Sequence, residues 1–244
     1  MSIGDAEIKT QERVIRFFKD PEILGYQYIG NLSDYQNKNI KEDRLRQYLR
    51  LKGYADKLVD AAVMQLQQEA GNLSRGVYDA NKTVYSRLKY GIPVSESPEK
   101  PPVTVQLVDE EKPLNNDFAI AEEVTVVEQS EKRPDLVVYL NGIAVAVIEL
   151  KRSSISVSEG IRQNLTNQKN SFIQSFFTTM QFCMAGNESE GLRYGTLLTG
   201  EKFYMEWKDD GFKEHEEERD SVDVRISKTC EGIENKLLKQ IYAM

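Results

Sequence analysis

Apolar side chains recur at spacings of three and four through the first ninety residues, which is the pattern of helices that bury one face. Four stretches carry this pattern: residues 7–18, 42–51, 56–70 and 74–90. Gly53, Gly71 and Gly91 stand just beyond the last three stretches, where helices commonly stop. The pattern therefore predicts an N-terminal helical region over residues 1–91.

The next part of the chain changes from helical periodicity to runs typical of strands. Residues 92–102 hold four of the seven prolines, which predicts a connection rather than an element. Apolar, β-rich runs then predict strands over residues 103–108, 118–127, 136–140 and 143–150. Asn141 and Gly142, between the last two runs, are a strong signal for a hairpin. Both of its strands are apolar at nearly every position, so we expect a hairpin covered on both faces.

The remaining pattern extends this core and then becomes strongly charged. A helix is predicted over residues 158–170. Further strands are predicted over residues 176–185, 192–198 and 203–207. The whole pattern indicates an α/β fold, in which the helices of residues 1–91 pack on a core over residues 103–208. Residues 209–244 are expected to form a charged loop and a C-terminal helix.

Composition and charge exclude several classes of protein. The 244 residues include 32 Lys and Arg against 39 Asp and Glu, which gives a net charge of −7. This charge excludes a protein that coats nucleic acid with a uniformly basic surface, but it is compatible with a local basic groove. His215 is the single histidine, which excludes zinc sites built from several histidines, so any bound metal should be a hard ion held by carboxylates. Cys183 and Cys230 are too few for a disulfide scaffold, and a reducing cytoplasm is the expected location. The longest apolar run, residues 143–148, is far shorter than the ~20 residues of a membrane span.

Three charged residues at the ends of the predicted hairpin form the most informative group. Asp135 opens its first strand, and Glu149 and Lys151 close its second. Residues two apart in a strand share a face, so Glu149 and Lys151 should point the same way. Two carboxylates that converge at a strand end repel each other unless a cation lies between them, and Mg²⁺ is bound through one or two carboxylates and water. The group therefore favours metal-assisted hydrolysis of a phosphodiester.

Whether Asp135 joins that face depends on the hairpin loop. A regular two-residue turn, with no bulge elsewhere, would leave Asp135 on the opposite face from Glu149. A three-residue loop that pairs Tyr139 with Ile143 brings both carboxylates onto one face. Such loops commonly place a left-handed glycine in a bulge, a role that Gly142 suits. We therefore predict a bulged hairpin with a three-residue loop.

Short motifs spread over residues 74–208 resemble those of a known enzyme family. Pro134-Asp135 followed by Glu149-Leu150-Lys151 is similar to the PD-(D/E)xK nuclease motif. The segments that fall in family order are YDANKTVY at 78–85, NDF at 116–118, RPD at 133–135, NG at 141–142, ELK at 149–151 and YGT at 194–196. Together they resemble the N-terminal nuclease domain of the R (restriction, or motor) subunit of Type I restriction-modification enzymes.

The resemblance implies both a fold and a reaction. The fold would be restriction-endonuclease-like, a mixed β-sheet flanked by helices, and the reaction would be Mg²⁺-dependent hydrolysis of phosphodiester bonds in double-stranded DNA. Asp135, Glu149 and the main-chain carbonyl of Leu150 would bind the metal. Lys151 would act at the attacking water or the scissile phosphate.

The resemblance also points to side chains outside this group. Related nucleases place a Gln on the helix after the Glu-x-Lys strand, and Gln163 is the best match, with Gln168 as a second candidate. Some relatives add a Glu from an early helix to the metal site, for which Glu12 is the candidate. The candidate contacts to the DNA backbone near the site are Lys151, Arg152, Arg162 and Lys169.

The resemblance places the chain in a larger assembly. Its implied protein partners are the methyltransferase and specificity subunits of a restriction-modification complex. Residues 195–202 have the spacing of a phosphate-binding loop, but Glu201 stands where the loop needs Lys, so ATP is expected only in motor domains beyond this chain. The chain would then be a fragment of a longer protein. Two alternatives stay open: a catalytically silent module of the same fold that binds DNA or docks other subunits, and a related repair nuclease.

Overall fold

The computed structural model describes residues 3–97 and 99–206 as an α/β fold. The helices are α1 (Ile3–Lys19), α2 (Glu42–Leu51), α3 (Asp56–Gly71), α4 (Val77–Tyr90) and α5 (Val157–Asn167). The strands are β1 (Gln27–Asn31), β2 (Ile92–Val94), β3 (Val103–Val105), β4 (Phe118–Glu122), β5 (Val126–Val127), β6 (Glu131–Lys132), β7 (Leu136–Leu140), β8 (Ile143–Leu150), β9 (Phe182–Asn187), β10 (Gly191–Gly195) and β11 (Met205–Glu206). Short 3₁₀ helices cover Pro113–Asn115, Gln174–Thr179 and Glu201–Phe203.

Seven of these strands form one mixed sheet in the order β1-β4-β7-β8-β9-β10-β11. β1 runs parallel to β4 and β9 runs parallel to β8, while the other neighbours are antiparallel. Successive residues of β8 point to opposite faces, since Val147 joins the apolar cluster that includes Phe177 and Ile148 joins the cluster that includes Val14. The predicted mixed sheet and the hairpin covered on both faces are therefore confirmed.

Helices cover the two faces of the sheet through different apolar side chains. On one face, Val14 and Phe18 of α1 pack in one cluster with Ile148 of β8. On the other face, the 3₁₀ helix Gln174–Thr179 contributes Phe177, and α5 packs on β8 and β9. The central strands are thereby buried on both sides, which explains their nearly continuous apolar sequence.

The helices α2, α3 and α4 form a further apolar cluster with β2 and β3. Leu45 and Leu66 are fully buried in this cluster, and Ile143, the first residue of β8, joins them. Asn81 of α4 donates hydrogen bonds to the carbonyl oxygens of Thr178 (3.0 Å) and Met180 (2.8 Å). The N-terminal helices thus share buried contacts with the sheet and with the 3₁₀ helix that covers it.

The hairpin between β7 and β8 is bulged, as predicted, but its loop is shorter than predicted. Leu140 pairs with Ile143 across a two-residue turn, so the three-residue loop was wrong. The turn is tight because both of its residues have positive φ angles, 53° at Asn141 and 84° at Gly142, as such turns require. The bulge lies within β8 instead, where Val145 is the extra residue between two paired positions.

Contacts around the turn explain why it takes this form. The Asn141 side chain accepts a hydrogen bond from the Asp117 amide (2.7 Å) and donates one to the Leu107 carbonyl (2.8 Å). A Cβ at Gly142 would lie 2.7 Å from the carbonyl oxygen of Lys41, so only glycine fits against the start of α2. Residues of the NDF and NG segments therefore stabilise the turn through contacts with each other.

Other elements also differ from the predicted pattern. The Pro-rich segment contains β2, because Ile92 and Val94 are buried while Pro93 points outward in the pairing with β3. The N-terminal region is not wholly helical, since β1 adds an edge strand beside β4. The predicted strand over residues 176–185 begins only at Phe182, because the preceding residues form the 3₁₀ helix that Asn81 caps. In each case tertiary contacts override the local pattern.

Some predictions fall on parts of the chain that the structure does not describe. The charged loop and C-terminal helix over residues 209–244 lie there, and so do His215 and Cys230. Cys183 is described, and it is a buried free thiol. Over residues 3–97 and 99–206, no helix is both long and apolar enough to cross a membrane.

Candidate active site

The three charged residues of the hairpin meet at one end of β7 and β8. Leu136 pairs with Ile148, which places Asp135 opposite Glu149 and on the same face. The backbone amide of Leu150 donates a 2.7 Å hydrogen bond to Oδ2 of Asp135, which ties the start of β7 to the end of β8. The bulge at Val145 therefore places both carboxylates on one face, which the predicted three-residue loop was expected to do.

Glu149 is a carboxylate buried at the end of a strand. Its side chain is fully buried, and Oε2 accepts a 2.6 Å hydrogen bond from Nε2 of Gln163. Its other oxygen, Oε1, is buried without a hydrogen-bond partner among the described residues. A buried carboxylate oxygen left unpaired is costly, and a proton or a cation would satisfy it.

Gly160 brings α5 close enough for Gln163 to reach Glu149. A Cβ on Gly160 would lie 2.9 Å from Cβ of Ala185 and 3.4 Å from Cβ of Glu149, so any larger residue would push the helix away from β8 and β9. Residues three apart share a helix face, so Gln163 projects from the same side as Gly160. The close approach of helix and sheet thus sets the Gln163–Glu149 contact.

The ammonium group of Lys151 lies among oxygen atoms of the same site. Its Nζ donates to the carbonyl oxygen of Leu150 (3.0 Å) and to Oε1 of Glu7 (3.4 Å), and it lies 4.0 Å from Oδ2 of Asp135. The Lys151 and Asp135 side chains are 15% and 17% exposed, so their charges interact with little screening by solvent. Lys151 therefore supplies positive charge beside the carboxylate pair.

The environment shifts the protonation of both carboxyl groups. Burial raises the pKa of Asp135 to about 6, although the charge of Lys151 and the Leu150 amide oppose the shift. Burial, and then the negative charge of Asp135, raise the pKa of Glu149 well above its ordinary value. Two such groups cannot both ionise easily without a cation nearby. The site therefore favours binding either a proton or a metal ion between its carboxylates.

The donor set matches the needs of one hard cation. Within residues 3–97 and 99–206, no group of three His, Cys, Asp or Glu side chains is arranged as a metal cage. The site offers instead two carboxylates and the Leu150 carbonyl, and the unpaired Oε1 of Glu149 is the atom that needs a positive partner. Mg²⁺ usually keeps several water ligands and takes one or two carboxylates from the protein, so these residues fit Mg²⁺.

The structure separates the alternatives for the helical Gln and the early Glu. Gln163 contacts Glu149, whereas Gln168 is buried away from it and accepts a 2.7 Å hydrogen bond from the Leu198 amide. Glu12 is exposed on α1, and Glu7 of the same helix is the residue that reaches Lys151. Five residues turn a helix by about 140°, so Glu7 and Glu12 point in different directions. The assignment of Glu12 is therefore not supported by its position.

The candidate DNA contacts differ in their surroundings. Lys151 and Arg162 line a groove of about 430 Å³ beside the site, together with Gln163. The Arg162 guanidinium is already engaged by carboxylates, at 2.6 Å from Glu159 and 3.0 Å from Glu201. Arg152 is half-buried, and Lys169 is exposed. The groove thus includes two of the four basic residues.

Some residues of the site were not predicted from the sequence. Glu7 and Gly160 carry no motif of their own, and each acts through a contact made by the folded chain. Lys132, on β6, also lines the groove. A Gly three residues before the candidate Gln163 is the one signal that the sequence offered, since a helix that packs closely on a sheet often needs a small residue there.

A comparison with protein-family models identifies the family of this chain. Residues 7–203 match the family model of the Type I restriction enzyme R protein N terminus (HSDR_N). A comparison with curated proteins gives no match. The matched range begins at Glu7 within α1 and includes the β7–β8 hairpin with its charged residues and α5 with Gln163. The chain therefore belongs to the family of Type I restriction enzyme R protein N-terminal domains.

Proposed function

We propose that this chain is the Mg²⁺-dependent endonuclease domain of a Type I restriction enzyme R subunit, and that it hydrolyses phosphodiester bonds of double-stranded DNA in the cytoplasm. One observation carries the proposal: Glu149 is fully buried, has an unpaired oxygen, and lies opposite Asp135 with Lys151 beside the pair. A carboxylate pair that only closed a strand would face water. Here Glu149 is fully buried and the Asp135 side chain is 17% exposed, so the paired charges need a cation.

Each residue of the site has a role in this proposal. Asp135, Glu149 and the Leu150 carbonyl would hold Mg²⁺, and the bound ion would supply a Lewis acid for the phosphodiester and lower the pKa of a water molecule. The Lys151 ammonium would stabilise the negative charge that develops on the phosphate, or orient the water that attacks it. Gln163 holds Glu149 in position through its 2.6 Å hydrogen bond.

The proposal includes a setting in which the domain acts. Membership of the R protein family supports a place in a restriction-modification complex that handles DNA. We propose the methyltransferase and specificity subunits as the partners that supply target recognition. ATP would bind only in motor domains of the complete R protein, because the phosphate-loop spacing at residues 195–202 has Glu201 where Lys is required.

The test is DNA cleavage by the complete R protein that carries this domain, assembled with its partner subunits, ATP and Mg²⁺. Asp135→Ala and Lys151→Ala should abolish cleavage while ATP hydrolysis continues. Asp43→Ala and Lys57→Ala change the same charges on exposed positions of α2 and α3, so they should cut like the wild type. If Asp135→Ala or Lys151→Ala still cuts at the wild-type rate, the site is not catalytic, and a silent docking module becomes the better explanation.

A further inference from the structure

The groove beside the carboxylate pair has a second wall that the proposed chemistry does not use. One wall is α5, which contributes Arg162 and Gln163, and a second element, β6, contributes Lys132. The full lining is Lys132, Lys151, Glu159, Arg162, Gln163, Thr166 and Asn167. Because Lys151 lies in the same groove, a polymer seated there would pass from the carboxylate pair toward Lys132.

The positive charges of this groove are not equally available to a ligand. Arg162 is held by Glu159 and Glu201, and recruiting it would break both ion pairs. The Lys151 ammonium is engaged by Leu150 and Glu7. Lys132 is different: its Nζ lies 4.8 Å from the centre of the Phe172 ring, and within the described part of the chain it forms no ion pair with a carboxylate. Lys132 is therefore the groove cation that a phosphate could engage without displacing an acidic group.

The hairpin that carries Lys132 is fixed to the segment that carries Phe172. Between β5 and β6, the carboxylate of Glu128 accepts hydrogen bonds from the Ser175 amide (3.0 Å), the Ser175 hydroxyl (2.6 Å) and the Phe176 amide (2.9 Å). The Gln129 amide also donates to the carbonyl oxygen of Phe172 (3.3 Å). These contacts hold the wall in place, and the aromatic ring limits the freedom of the Lys132 ammonium. A cation fixed in this way loses less entropy when it binds a ligand.

We propose that Lys132 binds a backbone phosphate of the DNA strand that enters the carboxylate site, and so positions that strand in the groove. This inference rests on the proposed nuclease function and adds a residue to it. The contact is to the phosphate backbone, since a lysine ammonium is a point charge that carries no base preference by itself. Lys132 therefore acts as a positioning residue that affects DNA of every sequence alike.

The test is the salt dependence of DNA binding by the full chain. A short fluorescein-labelled duplex of arbitrary sequence is titrated with protein at several KCl concentrations, with Ca²⁺ in place of Mg²⁺. Removal of one phosphate contact decreases the magnitude of the negative slope of log K against log salt by about 0.9. We expect Lys132→Gln to show this decrease and Lys132→Arg to keep the wild-type slope. Lys57→Gln is the matched control, because Lys57 is exposed on α3 and does not line the groove.

The outcomes separate this inference from the function on which it rests. An unchanged slope in Lys132→Gln, with normal wild-type binding, contradicts the assignment of Lys132 and leaves the nuclease proposal intact. An equal decrease in Lys57→Gln contradicts it as well, because the effect would then be one of general charge. A wild-type protein without any salt-dependent binding to the duplex contradicts both. Ca²⁺-induced thermal stabilisation, measured in parallel, should be unchanged in Lys132→Gln if only the DNA contact is lost.

Discussion

Asp135 and Glu149 lie opposite each other on β7 and β8, although the two-residue turn that joins these strands would by itself place them on opposite faces. The extra residue Val145 shifts the register of β8 by one position and returns both carboxylates to the same face. This relationship gives the site its main physical property, which is a fully buried carboxyl group, Glu149, directly opposite a partly buried one, Asp135. Four predictions follow from it and from the helix that packs against it.

The first prediction concerns the stability of the metal-free protein. Burial raises the pKa of Asp135 from 3.8 to about 6, so the folded state retains this proton to a higher pH than the unfolded chain does. The stabilisation is therefore complete below pH 4 and is lost as the pH rises through 6. We expect the deprotonation of Asp135 over this pH range to lower the free energy of unfolding by an amount on the order of 1 to 3 kcal/mol.

Urea unfolding in the presence of a chelator, at a series of pH values from 4 to 8, measures this decrease. Asp135→Asn keeps an acceptor for the Leu150 amide but carries no charge, so it should flatten the profile and be more stable than the wild type at pH 8. A wild-type profile as flat as that of Asp135→Asn would show that Asp135 is not buried as a carboxyl group.

The second prediction concerns divalent cations. A metal ion that binds between ionised carboxylates must displace their protons, so binding should be strong at pH 8 and weak at pH 5. Under the proposed function, Mg²⁺ or Ca²⁺ at 100 times its Kd would stabilise the folded protein by about 2.7 kcal/mol. Thermal unfolding with and without the cation at both pH values tests this expectation.

The variants Asp135→Asn and Glu149→Gln serve as controls for the cation effect. Each removes one charge while keeping the size of the side chain, so each should lose the stabilisation at pH 8. Stabilisation that persists in both variants would place the cation elsewhere on the chain, and the metal-site proposal would then be wrong.

The third prediction distinguishes the two glutamines that were candidates from the sequence. Gln163→Ala removes the donor to Oε2 of Glu149, and loss of a residue that orients a metal ligand typically lowers metal affinity or activity about 10- to 100-fold. Gln168→Ala instead leaves the Leu198 amide without its acceptor, at a cost of about 1–3 kcal/mol in stability.

Calorimetric titration with Mg²⁺ and urea unfolding, applied to both variants, separate the two effects. We expect Gln163→Ala to show weak metal binding with a modest change in stability, and Gln168→Ala to show the reverse. If Gln168→Ala weakens metal binding as strongly as Gln163→Ala, the hydrogen bond to Glu149 is not what orients the site.

The sequence was sufficient for the parts of the site that depend on local periodicity. Alternation along β8 places Glu149 and Lys151 on one face whatever the rest of the chain does. The position of Asp135 could not be derived in this way, because it depends on a bulge at Val145, and valine is an ordinary strand residue with no turn signal. The prediction of a bulge is confirmed, but its place was wrong, because the bulge lies within β8 and not in the turn.

Contacts between distant segments were the part that periodicity could not supply. Glu7 and Glu12 lie on one helix, and only the packing of α1 on the sheet decides that Glu7 reaches Lys151. The four prolines of residues 92–102 predict a connection, yet Pro93 lies in β2 with its neighbours buried in the helical cluster. Such positions are set by tertiary packing, which a single sequence does not reveal.

The fourth prediction tests the close packing of α5 on the sheet. Gly160→Ala would place a methyl group 2.9 Å from Cβ of Ala185, so α5 must move outward and carry Gln163 away from Glu149. Overpacking of this kind typically costs about 1–3 kcal/mol. Gly71→Ala, at the end of α3, is the matched control, because its Cβ would meet no atom within 4 Å and its stability should change little. Urea unfolding and Mg²⁺ titration of both variants should show a loss of stability and of metal affinity in Gly160→Ala alone. Unchanged metal affinity in Gly160→Ala would contradict the link between the packing of α5 and the carboxylate site.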